Sequence, residues 1–224
     1  MSATLPTPKY ISFDIYGTLI DFQMGKTVDR LIGDRLDADR RETFKDRFGV
    51  NRWDEVLEYR PYDEILERAW RRTCEQFALE SADSDIDAIT ASIGEWPAHE
   101  DVPEPLARMA EHFPLVALSN ADDSHLAASI PRLGAPFFAV YSAEQAGAYK
   151  PRLRAFEYML DKLQVAPSEI LHISSHQTYD HIPMFELGFT NKVLLDRGYE
   201  PDIPWYGAVR MTSLDEVNRA LGIA

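Results

Sequence analysis

Tyr10-Ile11-Ser12-Phe13-Asp14-Ile15-Tyr16-Gly17-Thr18-Leu19 is the stretch that decides the fold of this chain. It reads as a buried strand that ends on an ionisable residue, after which Gly17-Thr18 turns the backbone sharply. Asp14 then projects from the carboxyl end of a strand, where open α/β sheets place their ligands. A carboxylate there can act as a nucleophile and form an ester intermediate. Tyr16 narrows the chemistry, because a phenol with an ordinary pKa of about 10 is a poor proton donor near neutrality.

Outward from this segment, apolar runs alternate with helical patterns, which predicts a parallel sheet flanked by helices. The expected strands are Tyr10–Asp14, Leu115–Ser119, Ala139–Ser142, Ile170–Ser174 and Lys192–Leu195, with a last short one at Ala208–Met211. Helices are expected over Asp122–Leu133, Arg154–Leu163, Ile182–Leu187 and Leu214–Leu221, with Gly134 and Gly188 at helix stops. From about Gln23 to Trp96 no strand pattern occurs. Three amphipathic runs, Arg41–Val56, Tyr62–Ala78 and Ile86–Ile93, predict helices instead. Such a length is too great for a plain loop. The reading is therefore a Rossmann-like α/β core formed by residues 1–21 and 98–224, with residues 22–97 inserted as a helical cap over the strand ends. Pro97, Pro103 and Pro105 mark the return to the core.

Composition bounds the partners. The chain has 224 residues, 45% of them hydrophobic, enough for one large domain or a core with an insertion. Its net charge of −14, from 23 basic and 37 acidic residues, argues against nucleic acid or an anionic membrane as the main partner. A small anionic substrate then needs a locally positive pocket. Cys74 is the only cysteine, so intrachain disulfides and Cys-based zinc sites are excluded. No apolar run approaches the roughly 18 residues of a membrane span. Met1 to Pro8 reads as a loose tail, not a signal peptide. The expected location is cytoplasmic.

Four segments converge on the carboxyl edge of such a sheet: Asp14 with Tyr16 and Thr18; Ser119-Asn120; Lys150-Pro151; and Ser174-Ser175-His176-Gln177-Thr178-Tyr179-Asp180. In this order and spacing they resemble the haloacid dehalogenase superfamily over nearly the whole chain, and within it the type II (S)-2-haloacid dehalogenases. The resemblance implies that Asp14 attacks a halogen-bearing carbon and displaces halide, and that water then hydrolyses the Asp14 ester to a 2-hydroxy acid. It assigns Asp180 to orienting or deprotonating that water, and Lys150 to keeping Asp14 ionised. Thr18 and the amides after Asp14, those of Ile15 and Tyr16, would stabilise the oxyanion. Ser119 would bind the substrate carboxylate, and Asn120 would donate to the halide. Ser175 belongs to the same catalytic set, and His176 borders the substrate. A cap arginine would cradle the halide; Arg47, Arg52 and Arg60 are available, and Arg47 is preferred.

The chain also departs from its relatives' patterns. Phosphatases of this superfamily carry a second Asp where Tyr16 stands and hold Mg²⁺ through acidic residues where Ser174-Ser175 stands. Both the acid and the metal site are thus degraded, and no metal or other cofactor is expected. In the dehalogenases Asn occupies the position of His176, and one residue fewer precedes the Asp that Asp180 matches. The main reading is a metal-independent hydrolase of small 2-haloacids. The alternatives are a hydrolase of another small carboxylic acid, a Mg²⁺-dependent phosphatase and a non-catalytic binding protein. His172 reads as a hydrogen-bonded core residue, and Cys74 as a buried hydrophobe. Trp53, Phe48 or Trp70 would serve a homodimer patch if one forms.

Overall fold

The computed structural model describes residues 5–223. The strands are β1 (Tyr10–Phe13), β2 (Leu115–Ser119), β3 (Ala139–Ser142), β4 (Ile170–Ser174), β5 (Asn191–Leu195) and β6 (Val209–Met211). In chain order the helices are α1 (Met24–Ile32), α2 (Ala38–Glu55), α3 (Tyr62–Gln76), α4 (Asp83–Ile93), α5 (Pro103–His112), α6 (Asp123–Ser129), α7 (Ala143–Ala146), α8 (Leu153–Leu163), α9 (Ile182–Glu186) and α10 (Leu214–Ala220).

All strands pair in parallel in the order β3-β2-β1-β4-β5-β6. This is the Rossmann-like α/β core the sequence predicts. Parallel strands are covered on both faces, so their residues need not alternate in polarity, and β2 and β4 are buried at every position. β1 is central: Ile11 pairs with Leu115 on one side and Leu171 on the other, and Phe13 with Ala117 and Ile173. Strand order reverses at β1, and such a switch point leaves a crevice at the carboxyl ends of the strands. Asp14 follows β1 there, and Ser175 follows β4 one residue beyond that level. Helix α8 lays Phe156, Met159 and Leu163 against Val116, Leu118 and Ile170 of the sheet.

The chain divides into two compact units: the sheet unit, up to Asp21 and from Pro97 onward, and a helical unit, Phe22–Trp96. In the sheet unit Asp21 N donates to the Pro97 carbonyl at 2.9 Å, and Ile20 bridges to Ala98, so the two crossings of the chain lie side by side. Helices α1 to α4 build the other unit around Phe44, Phe48 and Trp70; both phenylalanines meet the indole edge-on, at 5.2 and 5.5 Å.

Several expectations need correction. Helix α1 shows no strong sequence signal, yet Met24, Val28 and Ile32 form its buried stripe. Pro103 and Pro105, within the returned core, open α5, because the first helical turn needs no backbone N–H from proline. The stretch Ala143–Ala146, for which no helix was expected, is one helical turn capped by Ser142, whose hydroxyl accepts from Gln145 N. Gln177–His181 forms a π-helical turn, which accommodates the extra residue before Asp180. Of the supposed tail, Met1–Thr4 lie outside the described residues, but Leu5 is buried and its amide donates to the Ala220 carbonyl at 3.1 Å. Phe48 and Trp70 are core residues of the helical unit and cannot form a surface patch, whereas Trp53 is 44% exposed. No helix among the described residues is long and apolar enough to cross a membrane.

Candidate active site

β1 delivers Asp14 into the crevice, and the turn after it is closed by Gly17 N donating to the Ile20 carbonyl at 2.8 Å. Gly17 takes φ +92°, and a Cβ at this position would lie 2.8 Å from His176 Nε2. Glycine is therefore required on two counts, backbone conformation and close approach. Thr18, one residue on, donates its hydroxyl proton to Asp14 Oδ2 at 2.7 Å. Its oxygen accepts from Ser175 N at 2.9 Å and lies 3.0 Å from Ser175 Oγ. Thr18 and Ser175 thus tie the loop after β1 to the loop after β4.

Lys150 is the hub. Its Nζ donates to Asp14 Oδ1 at 2.9 Å and to the Leu118 carbonyl at 3.0 Å, and pairs with Asp180 Oδ1 at 2.8 Å. Three acceptors saturate an ammonium. Burial alone would lower the Lys150 pKa, but Asp14 and Asp180 outweigh it and raise it. Asn120 sets the lysine's backbone: its Nδ2 donates to the Lys150 carbonyl at 2.8 Å, and Lys150 N donates to its Oδ1 at 2.7 Å. The halide contact expected of Asn120 falls on a side chain with both its amide oxygen and its amide nitrogen already engaged. Ser119 is different, because its buried hydroxyl has no hydrogen-bond partner among the described residues. Such a group at a strand end is a ready donor to a ligand.

Asp180 has no free oxygen. Oδ1 faces Lys150 at 2.8 Å and His172 Nε2 at 3.3 Å, and Oδ2 accepts from Ser174 Oγ at 2.8 Å. Burial would raise its carboxyl pKa, but Lys150 and His172 overcome this and hold it well below the usual carboxylate range. Asp180, the residue expected to orient or deprotonate the water, is thus wholly buried and held by three neighbours. Its geometry positions Lys150. His172, read as a core residue, is indeed wholly buried. It also extends the network, with Nδ1 2.8 Å from Ser12 Oγ.

Tyr16 turns away from proton transfer at the nucleophile: its hydroxyl donates to the His125 carbonyl at 3.2 Å and lies 2.8 Å from Ser129 Oγ, both on α6. The donor set also fails to suit Mg²⁺, which takes carboxylate oxygens and water. Asp14 and Asp180 share an ammonium, and their remaining oxygens accept from Thr18 and Ser174.

His176 stands at the rim of the same edge with its side chain 23% exposed. Its Nδ1 lies 3.4 Å from Glu200 Oε1, and its ring stacks on Tyr199 at 5.5 Å and meets Tyr179 edge-on at 5.7 Å. Burial would lower its pKa, but Glu200, Asp14 and Asp180 raise it. Glu200 and Tyr199 are absent from the sequence-based site. The signal for them was the strand itself: residues after β5 reach the same carboxyl edge as those after β1 and β4.

In the helical unit the structure separates the three arginines. Arg47 is exposed. The Arg60 guanidinium pairs with Glu55 at 3.5 Å and Glu64 at 3.7 Å. The Arg52 guanidinium lies over Phe22 and Phe48, 5.3 Å from each ring centre, and donates to Tyr62 Oη at 3.1 Å. An aromatic box holds a cation partly desolvated, which suits anion binding better than an open helix face.

The chain is similar to known proteins over most of its length. Over 196 residues the chain is 26% identical to (S)-2-haloacid dehalogenase 4A of Burkholderia cepacia, covering 84% of this chain and 83% of that one. A crystal structure of a dehalogenase with an intermediate complex superposes with a TM-score of 0.81 at 22% identity, over 97% and 98% of the two chains. L-2-haloacid dehalogenase from Xanthobacter autotrophicus, with chloropropionic acid covalently bound, gives 0.76 at 20% identity over 97% and 100%. The family model for haloacid dehalogenase-like hydrolases matches residues 8–184, which span Asp14, Lys150 and Asp180. The chain belongs to the haloacid dehalogenase-like hydrolases.

Proposed function

We propose that this hydrolase acts on small 2-halogenated carboxylic acids through an ester of Asp14. The observation that carries the reading is the position of Lys150 between Asp14 and Asp180, at 2.9 and 2.8 Å. An ammonium there pairs with the Asp14 carboxylate and holds it in place as a nucleophile toward carbon. The engaged hydroxyl of Tyr16 supports the same conclusion, because displacing halide needs no acid for the leaving group. Ser119 binds the substrate carboxylate, and the amides of Ile15 and Tyr16 receive the oxyanion during ester hydrolysis. In this reading the helical unit is a cap. The name of the Burkholderia cepacia relative supports the substrate class.

The test is halide release from (S)-2-chloropropionate in the presence of EDTA. Steady release is expected, with no magnesium-dependent hydrolysis of p-nitrophenyl phosphate. Asp14→Asn should lower turnover by at least about 10³-fold, as removal of a nucleophile does, with deamidation excluded by mass spectrometry. Full turnover in that variant would sink the assignment.

A further inference from the structure

We infer that His176, held by Glu200, is the general base that hydrolyses the Asp14 ester. The inference rests on the ester reading above and adds the group that completes the cycle. Asp180 is wholly buried behind Lys150, His172 and Ser174, whereas His176 keeps part of its side chain open. His176 is a titratable side chain on this edge that is partly open and next to the nucleophile loop. Its Nε2 would lie 2.8 Å from a Cβ on Gly17, three residues from Asp14. Glu200 approaches the other ring nitrogen, Nδ1. A carboxylate at Nδ1 favours the tautomer with hydrogen there, which leaves Nε2 as the acceptor facing the loop.

Glu200 is itself held firmly. Its Oε2 accepts from Gln177 N at 2.8 Å and Thr178 N at 3.1 Å, at the start of the π-helical turn. Gln177 in turn donates its side-chain amide to the Pro201 carbonyl and accepts from Ile203 N. The loop after β4 and the loop after β5 are thereby stapled together around the imidazole. Tyr199 and Tyr179 pack on two sides of the ring. The tight approach of Gly17 fixes a third side.

The step balances as follows. Water attacks the ester carbonyl carbon of Asp14 while Nε2 takes its proton, and the carbonyl π electrons move to oxygen. Collapse of that oxyanion breaks the bond to the substrate oxygen. The departing 2-hydroxy acid alkoxide takes the proton back from His176, and the regenerated Asp14 carboxyl loses its own proton to solvent. Charge timing favours this order. Asp14 and Asp180 both help His176 hold a proton in the resting enzyme. Esterification removes the charge on Asp14, so the imidazole releases its proton more easily when a base is needed.

The experiment compares wild type, His176→Gln and Glu200→Gln with (S)-2-chloropropionate, reading the halide burst, steady turnover and intact-protein mass. His176→Gln should keep a burst of one halide per active site, accumulate the Asp14 adduct and lose about 10²–10⁴-fold in steady turnover, the range of a general base. The retained burst also shows that the variant is folded. Glu200→Gln should move the acid limb of ester hydrolysis to lower pH, since Glu200 raises the His176 pKa. A merely structural Glu200 would leave that limb in place. Wild-type turnover in His176→Gln, or loss of its burst together with its turnover, overturns the inference while the ester reading stands. A wild-type enzyme that forms no adduct and releases no halide brings down both.

Discussion

Two acid–base assemblies share one sheet edge and differ in how completely they are satisfied. Around Lys150, each carboxylate oxygen of Asp14 and Asp180 meets a cation or a hydroxyl, and the ammonium has three acceptors. Around His176, one ring nitrogen faces Glu200 and the side chain retains 23% of its exposure. The first arrangement holds charge in place and cannot easily exchange protons. The second can titrate. Burial with full pairing thus produces a preorganised field, and partial burial with one partner produces a proton carrier. A two-stage ester mechanism needs one of each.

The largest expected effect comes from opening the saturated assembly. Lys150→Met leaves two buried carboxylates facing each other and should cost about 3–5 kcal/mol in chemical denaturation at neutral pH. The loss should shrink in acid, where the carboxylates become protonated. An undiminished loss at low pH would mean that packing of the lysine stem, and not charge, holds this region.

A smaller perturbation targets the other assembly. Gly17→Ala forces a left-handed backbone on a residue with Cβ, at about 1–2 kcal/mol, and pushes against His176 Nε2. Ester hydrolysis should slow more than halide release, because Lys150 and Asp180 are untouched. Equal slowing of both stages would erase the functional distinction between the two assemblies.

The smallest effect is a difference in pH dependence between two histidines. His181 is buried, and burial with the nearby His172 pushes its pKa down to about 4 from 6.5. The unfolded chain binds that proton first as pH falls, so His181 should reduce stability progressively from pH 6.5 to about 4. His176 has the opposite sign. Its raised pKa contributes stability that is fully present below the ordinary histidine value and lost as pH rises through the folded one. His181→Gln should flatten the acid side of a stability–pH curve, and His176→Gln the near-neutral side. Identical curves for the two variants would show that their surroundings do not differ as described.

The legibility of these features followed from their chemistry. The central strands could be read because parallel strands buried on both faces leave unbroken apolar runs such as Leu115–Ser119 and Ile170–Ser174. Helix α5 was obscured by its two prolines, which the chain uses at a helix start. Arg52 could not be told from Arg47 along the chain, because its distinction is the pair of rings beneath its guanidinium. The partners that hold Asp180 could not be read along the chain, because sequence shows an ionisable group and not what surrounds it.

By itself, the sequence determined the α/β class, the strand-end position of Asp14 and the ordered appearance of Lys150 and Asp180, since all three follow from local patterns along the chain. Only the tertiary structure decided which carboxylate is sealed, which histidine is open and that Glu200 stands behind it. Those properties depend on burial and on partners far apart in sequence. His176 and Glu200 meet because β4 and β5 are adjacent in the sheet and end at the same edge, and the pairing of β4 with β1 brings His176 to the loop of Asp14.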